Sequence, residues 1–265
     1  MKILMINLEQ SKDRLEQQCI QFSRLGLTFE RLPAVSIADF SEEEYQALAF
    51  SGQRPLKQSE LACFLSHKKA WEYVISINTP CVILEDDAVL VKDFKIILDE
   101  IAQIKDVEFV NLEMYGRKKI ISKLPMYKLD HGNFQLFHLY QDRCGAGGYI
   151  LFPKGEKRLL NYMQKRPIGL ADEFIYSCQD LKAFQIEPVA LLQSCQCHIY
   201  GIQTDIPYQS VIGLINNNID LDLSIAEKIQ FKSRRITRQI QLGYLNIKNG
   251  LKGVKRLIHV NHDEF

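Results

Sequence analysis

The sequence predicts an α/β fold with a mostly parallel central sheet, and three features predict it. Residues 1–35 read as strand, helix, strand. Short apolar runs bounded by turn residues then alternate with helical patterns as far as Phe184. No internal repeat or low-complexity tract competes with that pattern. Strands separated by helices pair in parallel, with the crossovers packed on the faces of the sheet.

Lys2 to Leu8 is an apolar run ending in Asn7-Leu8, a buried strand. Ser11 can cap the next helix, in which Leu15, Cys19, Phe22 and Leu25 recur at helical spacing. Phe29 to Val35, after Gly26, is a second strand. Ile37 to Lys57 is polar and reads as irregular. Ser59 to Ile77 is a helix, and Pro80 to Leu84 a short buried strand. Phe109 to Leu112, Phe134 to Leu139 and Gly148 to Phe152 are further strands, and Gly155 to Met163 and Phe174 to Phe184 further helices.

The 265 residues suffice for one large domain with a small appendage. An apolar share of 46% and a charged share of 25% are those of a soluble globular protein. A net charge of +1 speaks against nucleic acid as a partner. The first apolar run, Ile3 to Ile6, is too short for a signal-peptide core, and no window is apolar enough to span a membrane. The expected location is therefore the cytoplasm, with the seven cysteines as free thiols.

Glu85-Asp86-Asp87 follows directly on the strand Pro80 to Leu84. Alternate side chains of an extended chain share a face, so Glu85 and Asp87 point one way and Asp86 the other. Like charges there need a cation or a basic neighbour, and ligands of α/β sheets bind at the carboxyl ends of strands. A divalent cation, Mn²⁺ or Mg²⁺, held by Glu85 and Asp87 can bridge to a diphosphate. A solvated acidic turn explains the same triplet without a ligand. Asn7, at the end of the first strand, suits a base or ribose, or simply a turn; Arg14 suits a phosphate, or a solvated helix face. Gly145, Gly147 and Gly148 permit close approach of the backbone to a ligand, or form a tight turn before a strand.

Several blocks occur in order. They are Met5-Ile-Asn-Leu8 with Arg14, Phe29-Glu-Arg-Leu-Pro-Ala34, Glu60-Leu-Ala-Cys-Phe-Leu-Ser-His67 with Trp71, Ile83-Leu-Glu-Asp-Asp87, and Gly145-Ala-Gly-Gly-Tyr-Ile150 with Gly155. Together they resemble glycosyltransferase family 25, which contains bacterial lipooligosaccharide sugar transferases. The resemblance covers about residues 1 to 200 and departs at Phe152, where a serine is expected, and over Leu112 to Asp142. It implies a GT-A-like fold, a UDP-sugar donor (galactose or glucose), a divalent cation, inversion at the anomeric carbon and a glycolipid or oligosaccharide acceptor. It also implies that Ala34, Ser66 and His67 line the donor site beside Asn7, Arg14, Glu85, Asp86, Gly147 and Gly148. His67 on an apolar helical stripe is otherwise a packed structural residue. Inverting transfer needs a base for the attacking hydroxyl, a role that fits Asp172, with Glu173 in reserve; either can instead cap the helix that follows. The late His198 is a candidate third metal ligand, whereas Cys195 and Cys197 lack the second pair of a zinc module.

The composition changes near residue 210, giving a catalytic domain over 1–210 and a basic, mostly helical appendage over 211–265. Between Lys228 and Arg256 stand nine basic residues and no acidic one, interleaved with isoleucine and leucine. That pattern fits peripheral contact with the anionic cytoplasmic face of the inner membrane, or packing on the catalytic domain or a second subunit of a homodimer. Two rival functions remain: a catalytically silent glycan-binding or assembly protein of the same fold, and a nucleotidyltransferase. The latter usually carries a glycine-rich phosphate loop after its first strand, where this chain has Asn7-Leu-Glu-Gln-Ser-Lys12.

Overall fold

The computed structural model of the protein describes residues 1–142, 145–206 and 224–265. Cys144 and the expected boundary at residue 210 lie outside the described residues. The α/β class is the one the sequence predicts. β1 (Lys2–Asn7) has apolar side chains at every position from Ile3 to Ile6, and all four are buried. Such a strand must be covered on both faces. Leu4 and Ile6 pack into one core layer, Ile3 and Met5 into the other.

β1 pairs in parallel with β2 (Glu30–Pro33) and with β3 (Cys81–Glu85). The crossovers are α1 (Lys12–Arg24) and then α2 (Glu42–Ala49) with α3 (Gln58–Ile77). A two-stranded sheet pairs β4 (Ala88–Leu90) with β11 (Leu191–Gln193), beyond the end of β3. The main sheet continues through β5 (Phe109–Asn111), β6 (Lys119–Ser122), β7 (Tyr127–Lys128), β8 (Gln135–Gln141), β9 (Gly148–Leu151), β10 (Ala183–Glu187) and β12 (Gly253–Arg256). Its order is β12-β6-β8-β10-β5-β9-β3-β1-β2, with β7 paired to β8. β8, β9 and β12 run against the other seven strands, so the sheet is mostly parallel in direction, with β9 inserted antiparallel between β3 and β5.

The remaining helices are α4 (Phe94–Ile101), α5 (Pro153–Met163), α6 (Ala171–Ser177), α7 (Ser194–Cys197) and α8 (Ile225–Lys252). Two expectations are corrected. The stretch Ile37 to Lys57 contains α2, closed by a capping box between Ser41 and Glu44. Its acidic first turn, which made it look irregular, suits a helix N-terminus. The helix expected over Phe174 to Phe184 ends at Ser177, and Ala183–Glu187 is β10, inside the sheet. A short apolar run does not by itself distinguish a strand from a buried helical turn.

α8 is the long helix of the basic segment, and β12 after it forms the edge of the main sheet by pairing with β6. Phe231 and Asn249 are its buried residues, and Asn249 Nδ2 donates to Tyr140 O at 3.2 Å. Ile258 beyond it is buried in the core.

One core feature works against stability. Glu156 of α5 is 0% exposed, and neither carboxyl oxygen has a hydrogen-bond partner among the described residues. Burial pushes its carboxyl from 4.5 up to about 7. The native state therefore holds this proton to higher pH than the unfolded chain. The stability this provides is complete below 4.5 and is lost as pH rises through about 7. Glu156→Gln removes the titration. Its melting midpoint should exceed that of the native protein by a few degrees near pH 8, on the order of 1 kcal/mol, with the gap closing toward pH 5. Thermal scans at the two pH values check this; an equal gap at both would contradict it.

Candidate active site

β3 carries its buried run up to Glu85, and the chain then turns through Asp86 and Asp87 into β4. Glu85 and Asp86 make contacts with different elements, as alternation predicts for neighbours. Asp86 points toward α1, where it accepts from Asn7 Nδ2 at 2.7 Å and Arg14 Nη1 at 2.9 Å. Arg31 Nε donates to Asn7 Oδ1 at 2.9 Å, and Gln18 Nε2 holds the carbonyls of Asp86 and Ala88 at 3.1 and 2.9 Å. Asn7, Arg14 and Asp86 thus form one network that fixes the strand end to α1. Burial raises the Asp86 carboxyl, and the Arg14 guanidinium opposes the rise.

Glu85 points the other way, toward α3. Its Oε1 lies 3.1 Å from His67 Nε2 and 4.0 Å from Cys63 Sγ. His67 Nδ1 lies 3.0 Å from the Tyr149 hydroxyl, which accepts from Trp71 Nε1 at 2.8 Å. The Glu85 carboxylate can only accept, and in the neutral ring that leaves Nδ1 to accept from the Tyr149 hydroxyl. Nε2 then carries the imidazole proton and donates to Glu85. The ligand atoms of Cys63, His67 and Glu85 lie within 4.8 Å of one another. Burial holds the Cys63 thiol well above its ordinary 9.0, so it stays protonated.

A fourth carboxylate, not singled out from the sequence, completes the group. Glu113, two residues beyond β5, is 0% exposed. Its Oε1 accepts from Gly147 N at 2.6 Å, while the Gly147 carbonyl accepts from Glu85 N at 2.9 Å. Burial, joined by Glu85 and Asp87, pushes Glu113 up to about 8. Burial likewise pushes Asp87 up to about 7, joined by Glu85 and Asp86. Glu113 Oε2 and Asp87 Oδ1 are buried with no hydrogen-bond partner among the described residues. The sequence did carry a signal for Glu113, which follows a buried strand end much as Glu85 does.

The glycine block makes room for these groups. Gly145 has φ +94°, and a Cβ there would lie 2.7 Å from Glu113 Oε1. At Gly147 a Cβ would lie 2.4 Å from Gln193 Nε2. Gly148 pairs with Leu84 across β9 and β3. Among the described residues the ligand atoms that come together are those of Cys63, His67 and Glu85, and the unpartnered Asp87 Oδ1 and Glu113 Oε2 add carboxylate oxygens of the kind a hard divalent cation of the magnesium or manganese type takes.

Above the carboxylates lies a cavity of about 510 Å³. Arg14, Ala34, Ser66, His67, Glu85, Asp86, Asp87, Gly145 and Asp172 line it. Ser66 Oγ accepts from Val35 N at 2.9 Å, tying the segment after β2 to α3. Asn7, Gly147 and Gly148 stand behind the lining as supports. Asp172 and Glu173 lie in the first turn of α6, whose N-cap is Leu170, so neither carboxylate caps the helix. Asp172 Oδ1 accepts from Glu173 N at 2.6 Å; burial raises its carboxyl, and the amides of Glu173 and Gly145 oppose the rise. Glu173 faces elsewhere, accepting from Gln53 Nε2 at 2.8 Å and Arg238 Nε at 3.3 Å. His198 is exposed in the short turn after α7 and lies outside the cavity lining.

The sequence profile of glycosyltransferase family 25 (LPS biosynthesis protein) matches residues 1–175. A glycosyltransferase 25 family member of Aedes aegypti is 30% identical, over 65% of this chain and 30% of its own length. A putative glycosyltransferase of Haemophilus influenzae is 26% identical, over 77% of this chain and 73% of its own. The human procollagen galactosyltransferase 2 is 26% identical, over 72% of this chain and 34% of its own. The chain thus spans about a third of the length of the insect and human relatives. Among solved structures, the galactosyltransferase LgtC in complex with donor and acceptor sugar analogs has a TM-score of 0.40 and 11% identity, over 70% of this chain and 73% of that one. That score is too low to carry an argument. The profile match covers well over half of the 265 residues, and the chain belongs to glycosyltransferase family 25.

Proposed function

We propose that the protein is an inverting, metal-dependent glycosyltransferase with a GT-A-like fold. It moves a hexose, galactose before glucose, from a UDP-sugar to a hydroxyl of a lipooligosaccharide or other surface glycan. The observation that carries this reading is the buried Asp87 Oδ1, without a partner among the described residues, beside Glu85 in the lining of a cavity that also holds Asp172. Human procollagen galactosyltransferase 2 among the relatives favours galactose.

Glu85 and Asp87, with Glu113, would hold the cation, which when bound neutralises charge on the leaving diphosphate. His198 is left out of this set because it is exposed away from the carboxylates. His67 orients Glu85 through its Nε2–H. Arg14 and the segment at Ala34 line the donor side of the cavity, with Ser66 holding that segment. In the transfer, the acceptor oxygen forms a bond to the anomeric carbon as the bond from that carbon to the diphosphate oxygen breaks. The acceptor proton passes to Asp172, whose raised affinity for protons suits a base. Glu173, engaged by Gln53 and Arg238, is the weaker candidate.

The outer face of α8 supports peripheral membrane contact from the cytoplasmic side. Ile229, Ile236, Ile240, Ile247 and Leu251 are 63%, 48%, 68%, 70% and 79% exposed. Their spacing aligns them on one face, bordered by Lys228, Lys232 and Lys248. An apolar stripe flanked by cations matches the interface of an anionic bilayer. No helix among the described residues is long and apolar enough to cross a membrane.

Three outcomes are expected. UDP-galactose turnover should vanish in chelator and return with manganese or magnesium, and Asp87→Asn or Glu113→Gln should lower it by orders of magnitude in a folded protein; full turnover in chelator would remove the metal from the mechanism. Asp172→Asn should bind UDP-galactose but transfer roughly 10²–10⁴-fold more slowly. A near-normal rate there, with a large loss in Glu173→Gln, would reassign the base. In liposome sedimentation the protein should pellet with anionic but not neutral lipid, less so at high salt. Ile236→Asp with Ile240→Asp should abolish pelleting; retention by the double variant, or a dimer dissociated by it in sedimentation equilibrium, would assign the stripe to a second copy.

A further inference from the structure

A second cavity, of about 760 Å³, lies on the far side of the first turn of α6. Leu170 lines both cavities, Asp172 the first and Glu173 the second. The walls of the second are the segment between α2 and α3, the segment between α5 and α6, and the inner face of α8. Four arginines line it, Arg54, Arg166, Arg234 and Arg238, against two carboxylates, Glu173 and the exposed Asp180.

The arginines are not equally compensated. Arg54 pairs with Glu60 at 2.7 Å, and Arg238 with Glu173 at 3.3 Å. Arg234 is half-buried, and its Nη1 donates to two neutral oxygens, the carbonyls of Phe50 at 3.0 Å and Gly52 at 3.1 Å. Arg234 and Arg166 form no ion pair among the described residues. Two guanidinium charges therefore face the cavity without a carboxylate, one held in place by backbone carbonyls. A partly desolvated guanidinium gains most from an anion that it can grip with two N–H groups. Tyr162 and Tyr244 also line the cavity, aromatic side chains of the kind that sugar rings pack against.

We propose that this cavity is the acceptor subsite, and that it takes a sugar bearing an anionic substituent, a phosphate or a carboxylate, bound by Arg166 and Arg234. The assignment as acceptor rests on the glycosyl transfer reading, because the wall between the cavities carries Asp172. Specificity for an acid-bearing glycan then comes from a part of the acceptor remote from the reacting hydroxyl.

The test is titration calorimetry of the full chain with galactose 6-phosphate, galacturonate, galactose and inorganic phosphate. The two acidic sugars should bind, and galactose at least about tenfold more weakly. Inorganic phosphate should bind more weakly than the sugar phosphate. Arg166→Glu, whose side chain has no ion pair to lose, should weaken both acidic sugars about tenfold or more without lowering the melting midpoint. Arg234→Gln should do the same, but it also unties α8 from residues 50–52, so Arg166→Glu decides. Equal affinity for galactose and its 6-phosphate, indifference to Arg166→Glu, failure of both acidic sugars to bind, or inorganic phosphate binding as tightly as the sugar phosphate would each overturn the proposal. UDP with manganese is titrated separately. If UDP fails to bind while the acidic sugars bind, the transferase reading falls and the anionic-sugar site stands.

Discussion

Crowded carboxylates at the end of a buried strand set the terms for the rest of the molecule. Burial, joined by the Glu85 charge, raises the proton affinity of Asp87 and Glu113, and one oxygen of each is buried without a partner among the described residues. Each unsatisfied buried oxygen costs about 1–3 kcal/mol, so the group persists only where its surroundings over-determine it. The sheet supplies that restraint. β3 and β5 both pair with β9, which brings the ends of two acid-bearing strands to one place. Gly147, just before β9, then ties them together, its amide on Glu113 and its carbonyl on the Glu85 amide. The antiparallel β9 is therefore the element that makes a cluster of carboxylates that are remote in sequence.

Helix α3 shows how the core extends this order outward. Cys63, His67 and Trp71 recur every four residues, so they share one face of the helix. Trp71 is fully buried, stacked near Phe174 and bonded to Tyr149. Tyr149 in turn lies in β9 and meets His67, which reaches Glu85. A packing residue thus positions an imidazole two contacts away, and the rigidity of the core becomes the orientation of a carboxylate. His67 is a core residue that also lines the cavity.

These relations were unevenly legible in the sequence. β1 and β3 were readable because unbroken apolar runs of that length occur in strands covered on both faces. The opposite headings of Asp86 and Glu85 followed from alternation alone. Glu113 carried a signal only in following a buried strand end, and a lone glutamate there acquires meaning when β9 brings its strand beside β3. β10 was taken for the end of a helix, since Ala183 to Ile186 fits either period over so few residues. Asp172 and Glu173 are adjacent in sequence, where they rank as first choice and reserve for the base with no difference in their surroundings to separate them. On a helix, successive side chains diverge by about 100°. That divergence turns one toward the carboxylate cavity and the other toward Gln53 and Arg238.

The same periodicity gives α8 two occupations at once. Arg234 and Arg238 stand four residues apart on the inner face and line the second cavity. Ile229, Ile236, Ile240 and Ile247 recur on the outer face and are exposed. A helix of 28 residues is roughly 42 Å long, so both faces extend well beyond one contact. β12 anchors its end to the sheet through β6, and Arg234 holds its first half to residues 50–52. An outer face seated on lipid would therefore set the height of the second cavity above that surface. On the proposed reading, a basic helix placed this way would do more than raise local affinity for a membrane: it would set where along a lipid-linked glycan the hydroxyl nearest Asp172 can lie.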